Sequence, residues 1–154
     1  MSTVVASRTD QQPPPVVHAA VMLWLTAVAF GAFETVLMVA RELYERTSTV
    51  AELLPGAGLR LAVFAGAVFL ALRLRRGEGW ARWTLAGTLG VFGTLSLVAE
   101  PVRWLLAGGS IAEAVAGADA AGLAFAASRT LHVLAVLGAM LLMFQPRATA
   151  YFTS

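Results

Sequence analysis

Ionisable side chains lie within apolar stretches of this sequence, where a charge is costly unless it is paired or has a function, and five of them are candidate site residues. They are Glu34, Glu100, Arg103, Arg129 and His132. A carboxylate in such a position can exchange a proton or an ion, and an arginine can pair with it through two parallel hydrogen bonds. The pattern indicates either a binding site inside a membrane or a set of structural ion pairs.

Glu100 shows the pattern most clearly. The seventeen residues before it, 83–99, carry no charge, and Pro101 and Arg103 follow within three positions. Pro101 cannot donate a hydrogen bond to the carbonyl of Leu97, so we expect a kink and a freed carbonyl there. Lipid does not tolerate a freed carbonyl, so this face of the helix is expected to point into a bundle.

The composition places the chain among integral membrane proteins. Hydrophobic residues make up 58% of its 154 residues and charged residues 13%, whereas soluble domains carry roughly 25% charge. The lipid bilayer is therefore the expected environment. Cysteine is absent, which excludes disulfides and cysteine metal sites. The formal net charge is +2, and the arginines lie singly or in one short cluster, so we expect no nucleic-acid partner.

Four apolar stretches predict an all-α, four-helix transmembrane bundle over residues 16–146. The predicted spans are 16–40, 57–74, 83–106 and 123–144. The second is the weakest, because only residues 61–72 are free of charge. It reaches membrane length if Arg60 and Arg73 extend their side chains to the two interfaces. A short re-entrant segment is the alternative.

Two loops carry the spacing of a helix capping box, in which a serine or threonine is followed three residues later by a glutamate. These pairs are Thr49 with Glu52 in loop one, and Ser110 with Glu113 in loop three. We therefore expect a short interfacial helix in each of these loops.

Both ends of the chain are predicted to be tails on the cytoplasmic side of the cell membrane. Residues 1–15 are polar and end in three prolines, which is typical of disorder, and residues 147–154 form a short C-terminal tail. Loop two holds four arginines against one acid, Glu78; the arginines are Arg73, Arg75, Arg76 and Arg82. Because cytoplasmic loops are rich in arginine, loop two and both termini are predicted to face the cytoplasm.

Counting depth along the helices brings the five ionisable residues together. Glu34, Glu100 and Arg129 each lie six residues from the end of a span, about 9 Å below the boundary on the side of loops one and three. Arg103 is one turn shallower than Glu100, and His132 is one turn deeper than Arg129. The sequence predicts a polar layer of these five residues facing the bundle interior.

The role of the polar layer stays open between three interpretations. Buried ion pairs can fix the register and rotation of helices. The same groups can form a ligand, ion or proton site. Alternatively, Arg103 and Arg129 can extend to the headgroups without forming a network. The sequence carries no Ser-His-Asp arrangement, phosphate loop or metal-binding cluster, so we expect no enzyme activity, no cofactor and no metal.

Small and aromatic residues suggest how the helices are positioned. Three glycines recur every three residues on the third span and predict a smooth strip for close helix packing. They are Gly87, Gly90 and Gly93. Packing within the bundle and dimerisation are the two alternatives for this strip. The four tryptophans are expected to anchor at the membrane interfaces; they are Trp24, Trp80, Trp83 and Trp104.

The segment between the second and third spans carries a resemblance. Its residues Arg76-Gly77-Glu78-Gly79-Trp80-Ala81-Arg82 resemble a recurring loop of small multi-pass proteins from actinobacteria. Those proteins have a proline-rich N-terminus, four predicted helices and no assigned activity. The layout, with Glu34 on the first helix, is also similar to small multidrug resistance transporters, although this chain is longer and has further charges on helices three and four. That second resemblance implies that Glu34 exchanges a proton and a substrate.

Two functional hypotheses follow. The first is a non-enzymatic accessory or assembly subunit that binds another membrane protein or associates with itself, because the extramembrane segments are too small to form a domain. The alternative is a proton- or ion-coupled small-molecule transporter with Glu34 as the exchanging carboxylate.

Overall fold

The computed structural model describes residues 12–153, which form helices and turns and contain no strand. Six helices follow one another: α1 (Pro15–Tyr44), α2 (Val50–Arg75), α3 (Gly79–Leu106), α4 (Ile111–Gly117), α5 (Ala120–Met143) and α6 (Pro146–Thr153). Helices α1, α2, α3 and α5 are long and apolar enough to cross a membrane. The predicted all-α four-helix architecture is confirmed.

Helix α1 is the central element and packs against α5 on one side and α2 on the other. It begins at Pro15, which suits a first helical position because that residue has no intrahelical acceptor for an N–H. Most of the tail predicted over 1–15 lies outside the described residues, and its last residue already belongs to α1. The buried face of α1 includes Trp24, which is only 1% exposed. Its predicted role as an interface anchor is therefore wrong.

Helix α2 corrects the prediction of a short interfacial helix in loop one. The capping box is present, because the Thr49 side chain accepts from the Glu52 N–H, and Glu52 Oε2 accepts from the Thr49 N–H at 2.7 Å. This box begins α2 itself, which continues through Pro55 to Arg75. Pro55 removes one backbone hydrogen bond near the exposed start of the helix, and the remaining turns stabilise it. A continuous helix of 26 residues fits a crossing rather than a re-entrant segment.

Helix α3 contains an irregular middle. Residues Ala86–Gly93 form a π-helix between two α-helical parts, Gly79–Leu85 and Thr94–Leu106. In a π-helix the backbone hydrogen bonds join residues five apart, so residues three apart do not form one straight strip. Sequence periodicity gave no sign of this segment.

The predicted glycine strip on α3 is correspondingly only partly right. Gly90 packs against Met140 of α5 so closely that a Cβ would overlap the methionine sulfur. At Gly87 a Cβ would meet open space, and at Gly93 it would touch only α3 itself. One glycine of the three therefore permits a close helix approach.

Two short helices complete the chain. The helix predicted in loop three is confirmed as α4, where the Ser110 side chain accepts from the Glu113 N–H. The predicted C-terminal tail is instead the helix α6. Ala148 of α6 is fully buried, and the Tyr151 hydroxyl donates to the Arg75 carbonyl at 3.0 Å. Packing against the loop between α2 and α3 stabilises this short helix.

Arg82 forms the main link between α3 and α6. Its guanidinium lies 5.0–5.4 Å from the ring centres of Phe152, Phe144 and Trp83, and Nη1 donates to the Thr149 hydroxyl at 3.1 Å. The residue is 7% exposed. We define Arg82, its three aromatic neighbours and Thr149 as the arginine clamp.

A surface ion pair lies in the same loop. Arg73 Nη1 donates to Glu78 Oε1 at 2.9 Å, and Trp80 Nε1 donates to Glu78 Oε2 at 2.7 Å. The hydrogen bond from Arg73 holds the pKa of the Glu78 carboxyl below its ordinary value. The pair is therefore kept at neutral pH and is lost as the pH falls below the ordinary range of a carboxyl.

The hydrophobic core occupies the end of the bundle that carries loop two. Its largest fully buried side chains are Val17, Trp24, Leu74, Leu85 and Met143. Helix α2 contacts α3 mainly through Gly79–Leu85, next to the loop, whereas the outer parts of these two helices hardly touch. The bundle is consequently closed at one end and more open toward the other.

Candidate binding site within the bundle

A cavity of about 460 Å³ lies between the four long helices. Ligand sites in proteins occupy roughly 300–1,000 Å³ and are mostly apolar with a few polar groups. The lining fits that description, because aliphatic and aromatic side chains surround a small set of charged residues. The charged and histidine side chains at its wall are Glu34, Arg60, Glu100, Arg129 and His132.

Glu34 is the most buried charge at the cavity wall, with a side chain 7% exposed. It lies on the buried face of α1. Its Oε2 accepts from Arg129 Nε at 2.7 Å, and its Oε1 lies 3.3 Å from His132 Nδ1. Both carboxylate oxygens are thus engaged by two side chains one turn apart on α5. We call these three residues the polar triad.

Arg129 links the polar triad to α3. Its Nη1 donates to the Leu97 carbonyl over a long 3.4 Å, and its guanidinium lies 4.8 Å from the centre of the Phe125 ring. The Leu97 carbonyl is the one that receives no backbone hydrogen bond from residue 101, because Pro101 has no N–H. The expectation that this freed carbonyl lies in the polar interior is confirmed, while the kink stays a prediction.

Gly31 allows the helices to converge beside the polar triad. A Cβ at this position would lie 2.8 Å from Phe64 on α2 and 3.2 Å from His132 on α5. Real Cβ atoms need about 3.4 Å or more for ordinary contact. The missing side chain of Gly31 therefore lets one aromatic ring and one imidazole approach α1 together.

The structure separates the five residues of the predicted polar layer. Glu34, Arg129 and His132 are joined, as the depth count indicated. Glu100 lines the cavity but is exposed and forms no ion pair with any residue in 12–153. Arg103 lies outside the cavity, beside Trp104 in a depression on α3 alone. The outer part of α3 makes little contact with α1 and α2, so equal depth does not bring its charges to the triad.

Sequence reasoning missed two kinds of lining residue. Arg60, interpreted as an interfacial arginine, borders the cavity from α2. Its position near the start of the predicted span 57–74 favours a membrane interface and carries no signal for a cavity. The aromatic lining residues Trp24, Phe64 and Phe125 had no signal, since apolar residues occur all around each span.

No group of three or more histidine, aspartate or glutamate side chains within the described range is arranged to hold a metal ion. The cavity wall itself offers the chemistry of its charged and histidine side chains. Glu34 and His132 can take up and release protons, and the two arginines can bind an anion.

The fold and this site together define a multi-pass integral membrane protein. No protein-family model, curated protein or solved structure matches the chain.

Proposed function

We propose that this integral membrane protein is a proton-coupled transporter of a small molecule, with the cavity as its ligand site and Glu34 as the proton-exchanging carboxylate. The observation that carries the proposal is the position of the polar triad. A carboxylate only 7% exposed, held by an arginine and a histidine, borders a cavity to which all four long helices contribute.

Coupling follows from the shared use of Arg129. While Glu34 is ionised, the guanidinium neutralises it at 2.7 Å. A ligand that draws Arg129 away leaves an uncompensated carboxylate in a low-dielectric site, which then favours taking up a proton. Because binding linkage is reciprocal, protonation of Glu34 in turn releases Arg129 for the ligand. The proton and the ligand therefore influence each other's binding through one side chain.

The cavity favours this function over a purely structural ion pair. Protein interiors are close-packed with few voids larger than a water molecule, and a pair that only fixes helix rotation needs no open space beside it. Here about 460 Å³ of space adjoins the pair, and 29% of the Arg129 side chain remains exposed. The accessory-subunit hypothesis stays a prediction from the sequence, and its test is co-purification with a larger complex in mild detergent.

The test is proton-linked flux in liposomes that contain the full chain. Under an imposed pH gradient, a panel of weak acids, neutral amphiphiles and amines should include compounds that the protein moves together with protons. Glu34→Gln should abolish this coupled flux. The matched control is Glu45→Gln, which removes a carboxylate of an exposed pair on the same side and should leave flux unchanged. Absence of proton-linked flux over the whole panel, or full flux in Glu34→Gln, contradicts the proposal.

We further propose that loop two and both termini are cytoplasmic, as the arginine distribution indicates. The chain has no cysteine, so single cysteines can be labelled without background. Gly79 and Gly117 suit this purpose, because a Cβ meets nothing closer than 3.7 Å at the first and open space at the second. In intact cells an impermeant thiol reagent should label Gly117→Cys but not Gly79→Cys. Both should react after permeabilisation, and labelling of Gly79→Cys alone in intact cells would mean the reverse orientation.

A further inference from the structure

We infer that the ligand of the cavity is a small amphipathic carboxylate, bound through Arg129 and Arg60 and taken up together with a proton. This inference rests on the proposed function and adds the chemical class of the substrate. It follows from which charged side chains at the cavity wall already have hydrogen-bond partners and which have donors left for a ligand.

The buried Glu34 carboxylate already has protein partners. Both oxygens of Glu34 have partners, Arg129 Nε at 2.7 Å and His132 Nδ1 at 3.3 Å. A cationic ligand would have to displace an arginine from this carboxylate, which would leave the guanidinium itself unpaired. Glu34 is therefore a poor site for a cation.

The guanidinium of Arg129 is only partly occupied. An arginine has five N–H donors, and here Nε donates to Glu34 while Nη1 donates to the Leu97 carbonyl over a long 3.4 Å. The Phe125 ring lies near the guanidinium at 4.8 Å. The remaining donors suit a carboxylate, because the planar fork can bond both of its oxygens.

Arg60 on α2 is a second arginine, besides Arg129, with hydrogen-bond donors left for a ligand. Its one hydrogen bond among the described residues is a weak contact of Nη1 with the Met38 sulfur at 3.5 Å. No carboxylate of the described residues pairs with it. A cavity with an unneutralised arginine on α2 and a partly free one on α5 attracts an anion that can lie between them.

Charge balance then assigns the proton. With Glu34 and Glu100 ionised, Arg60 and Arg129 charged and His132 neutral, the cavity wall has no net charge. A bound anion adds one negative charge, which a proton on Glu34 or His132 cancels. In that same protonation state a bound cation has no such compensation, because arginine does not lose its proton in proteins.

The apolar part of the lining sets the rest of the ligand. Trp24, Phe64, Phe125 and Val136 border the same space as the charges, so a hydrocarbon or aromatic body can be buried while its carboxylate meets Arg129. An anion without an apolar part would make no hydrophobic contact with these side chains.

The experiment compares ligands of the same shape and different charge. The full chain in detergent is titrated calorimetrically with benzoate, benzamide and benzylamine, and with hexanoate, hexanamide and hexylamine. In each set the carboxylate should bind at least tenfold more tightly than the amide and the amine. Repeating the titration in buffers of different ionisation enthalpy should reveal uptake of about one proton per carboxylate.

Variants assign the binding to the named arginine. Arg129→Gln should abolish carboxylate binding, and Arg147→Gln, which changes an exposed arginine on α6, should leave it unchanged. Glu34→Gln frees Arg129 and should tighten carboxylate binding about tenfold at neutral pH. Because each single change costs stability, a second variant carries both Glu34→Gln and Arg129→Gln, which removes one charge of each sign. It should fold without binding carboxylates.

The outcomes distinguish failure of this inference from failure of the proposed function. If amines or amides bind best and drive Glu34-dependent proton flux, the transporter function stands and the carboxylate inference is overturned. If no compound of either set binds or moves, the proposed function fails together with the inference. Carboxylate binding that survives in the variant with both changes also overturns the inference.

Discussion

Replacing Glu34 or Arg129 alone by glutamine is expected to cost about 3–5 kcal/mol of unfolding free energy, because each change removes the oppositely charged partner of a charge inside the bundle. The side chains are 7% and 29% exposed, and their bond is 2.7 Å long. Replacing both should cost clearly less than the sum of the single changes. His132 softens the loss of Arg129, since it can still bond the Glu34 carboxylate. The larger of the two single effects is therefore expected for Glu34→Gln.

The measurement is a double-mutant cycle read from thermal unfolding in detergent. The chain supplies a matched control in Arg41 and Glu45, an arginine–glutamate pair with a similar 2.8 Å separation but with side chains 52% and 46% exposed. Exposed pairs of this kind contribute about 0.3–0.5 kcal/mol. A coupling energy for Glu34 and Arg129 as small as that of the control would show that burial adds nothing to their interaction.

Removal of Arg82 should release α6 from the bundle and cost about 2–3 kcal/mol, from the lost contacts with aromatic rings and the lost hydrogen bond to Thr149. Of the three rings of the arginine clamp, Trp83 belongs to α3, Phe144 follows the end of α5, and Phe152 belongs to α6. Arg82→Ala leaves them without a shared partner. Arg82→Lys keeps the charge but not the planar group, so an intermediate loss is expected.

Hydrogen exchange of the backbone amides in Pro146–Thr153 gives a local readout of the arginine clamp. Arg82→Ala should make these amides exchange at the rate of an unfolded segment, while the amides of α1 stay protected. Arg76→Ala, an exposed position in the same loop, should change stability by no more than about 0.5 kcal/mol. Unchanged protection of α6 in Arg82→Ala would mean that the clamp does not hold this helix.

Depth counting predicted the polar triad because it depends on two general properties of membrane helices. The rise of an α-helix per residue is constant, and a charge inside a membrane must find a partner. Glu34 and Arg129 satisfied both conditions on helices that pack closely. The same counting failed for Glu100 and Arg103, because depth contains no information on how far one helix stands from another.

The other differences arise where tertiary contacts override local pattern. The π-helical part of α3, Ala86–Gly93, has no periodic signature in the sequence. Residues 147–154 look like a polar tail, yet Ala148 and the arginine clamp bury part of them as α6. Trp24 was assigned to an interface by residue type alone, although it belongs to the buried face of α1.

The pairing of Glu34 with Arg129 has a consequence for electrical work. Moving one elementary charge through a membrane potential of 100 mV is worth about 2.3 kcal/mol, but two opposite charges joined at 2.7 Å experience nearly the same potential and give no net work. A rearrangement of the bundle that carries this pair across the field therefore generates almost no current. This pair is therefore expected to contribute almost nothing to any dependence of the protein on membrane voltage.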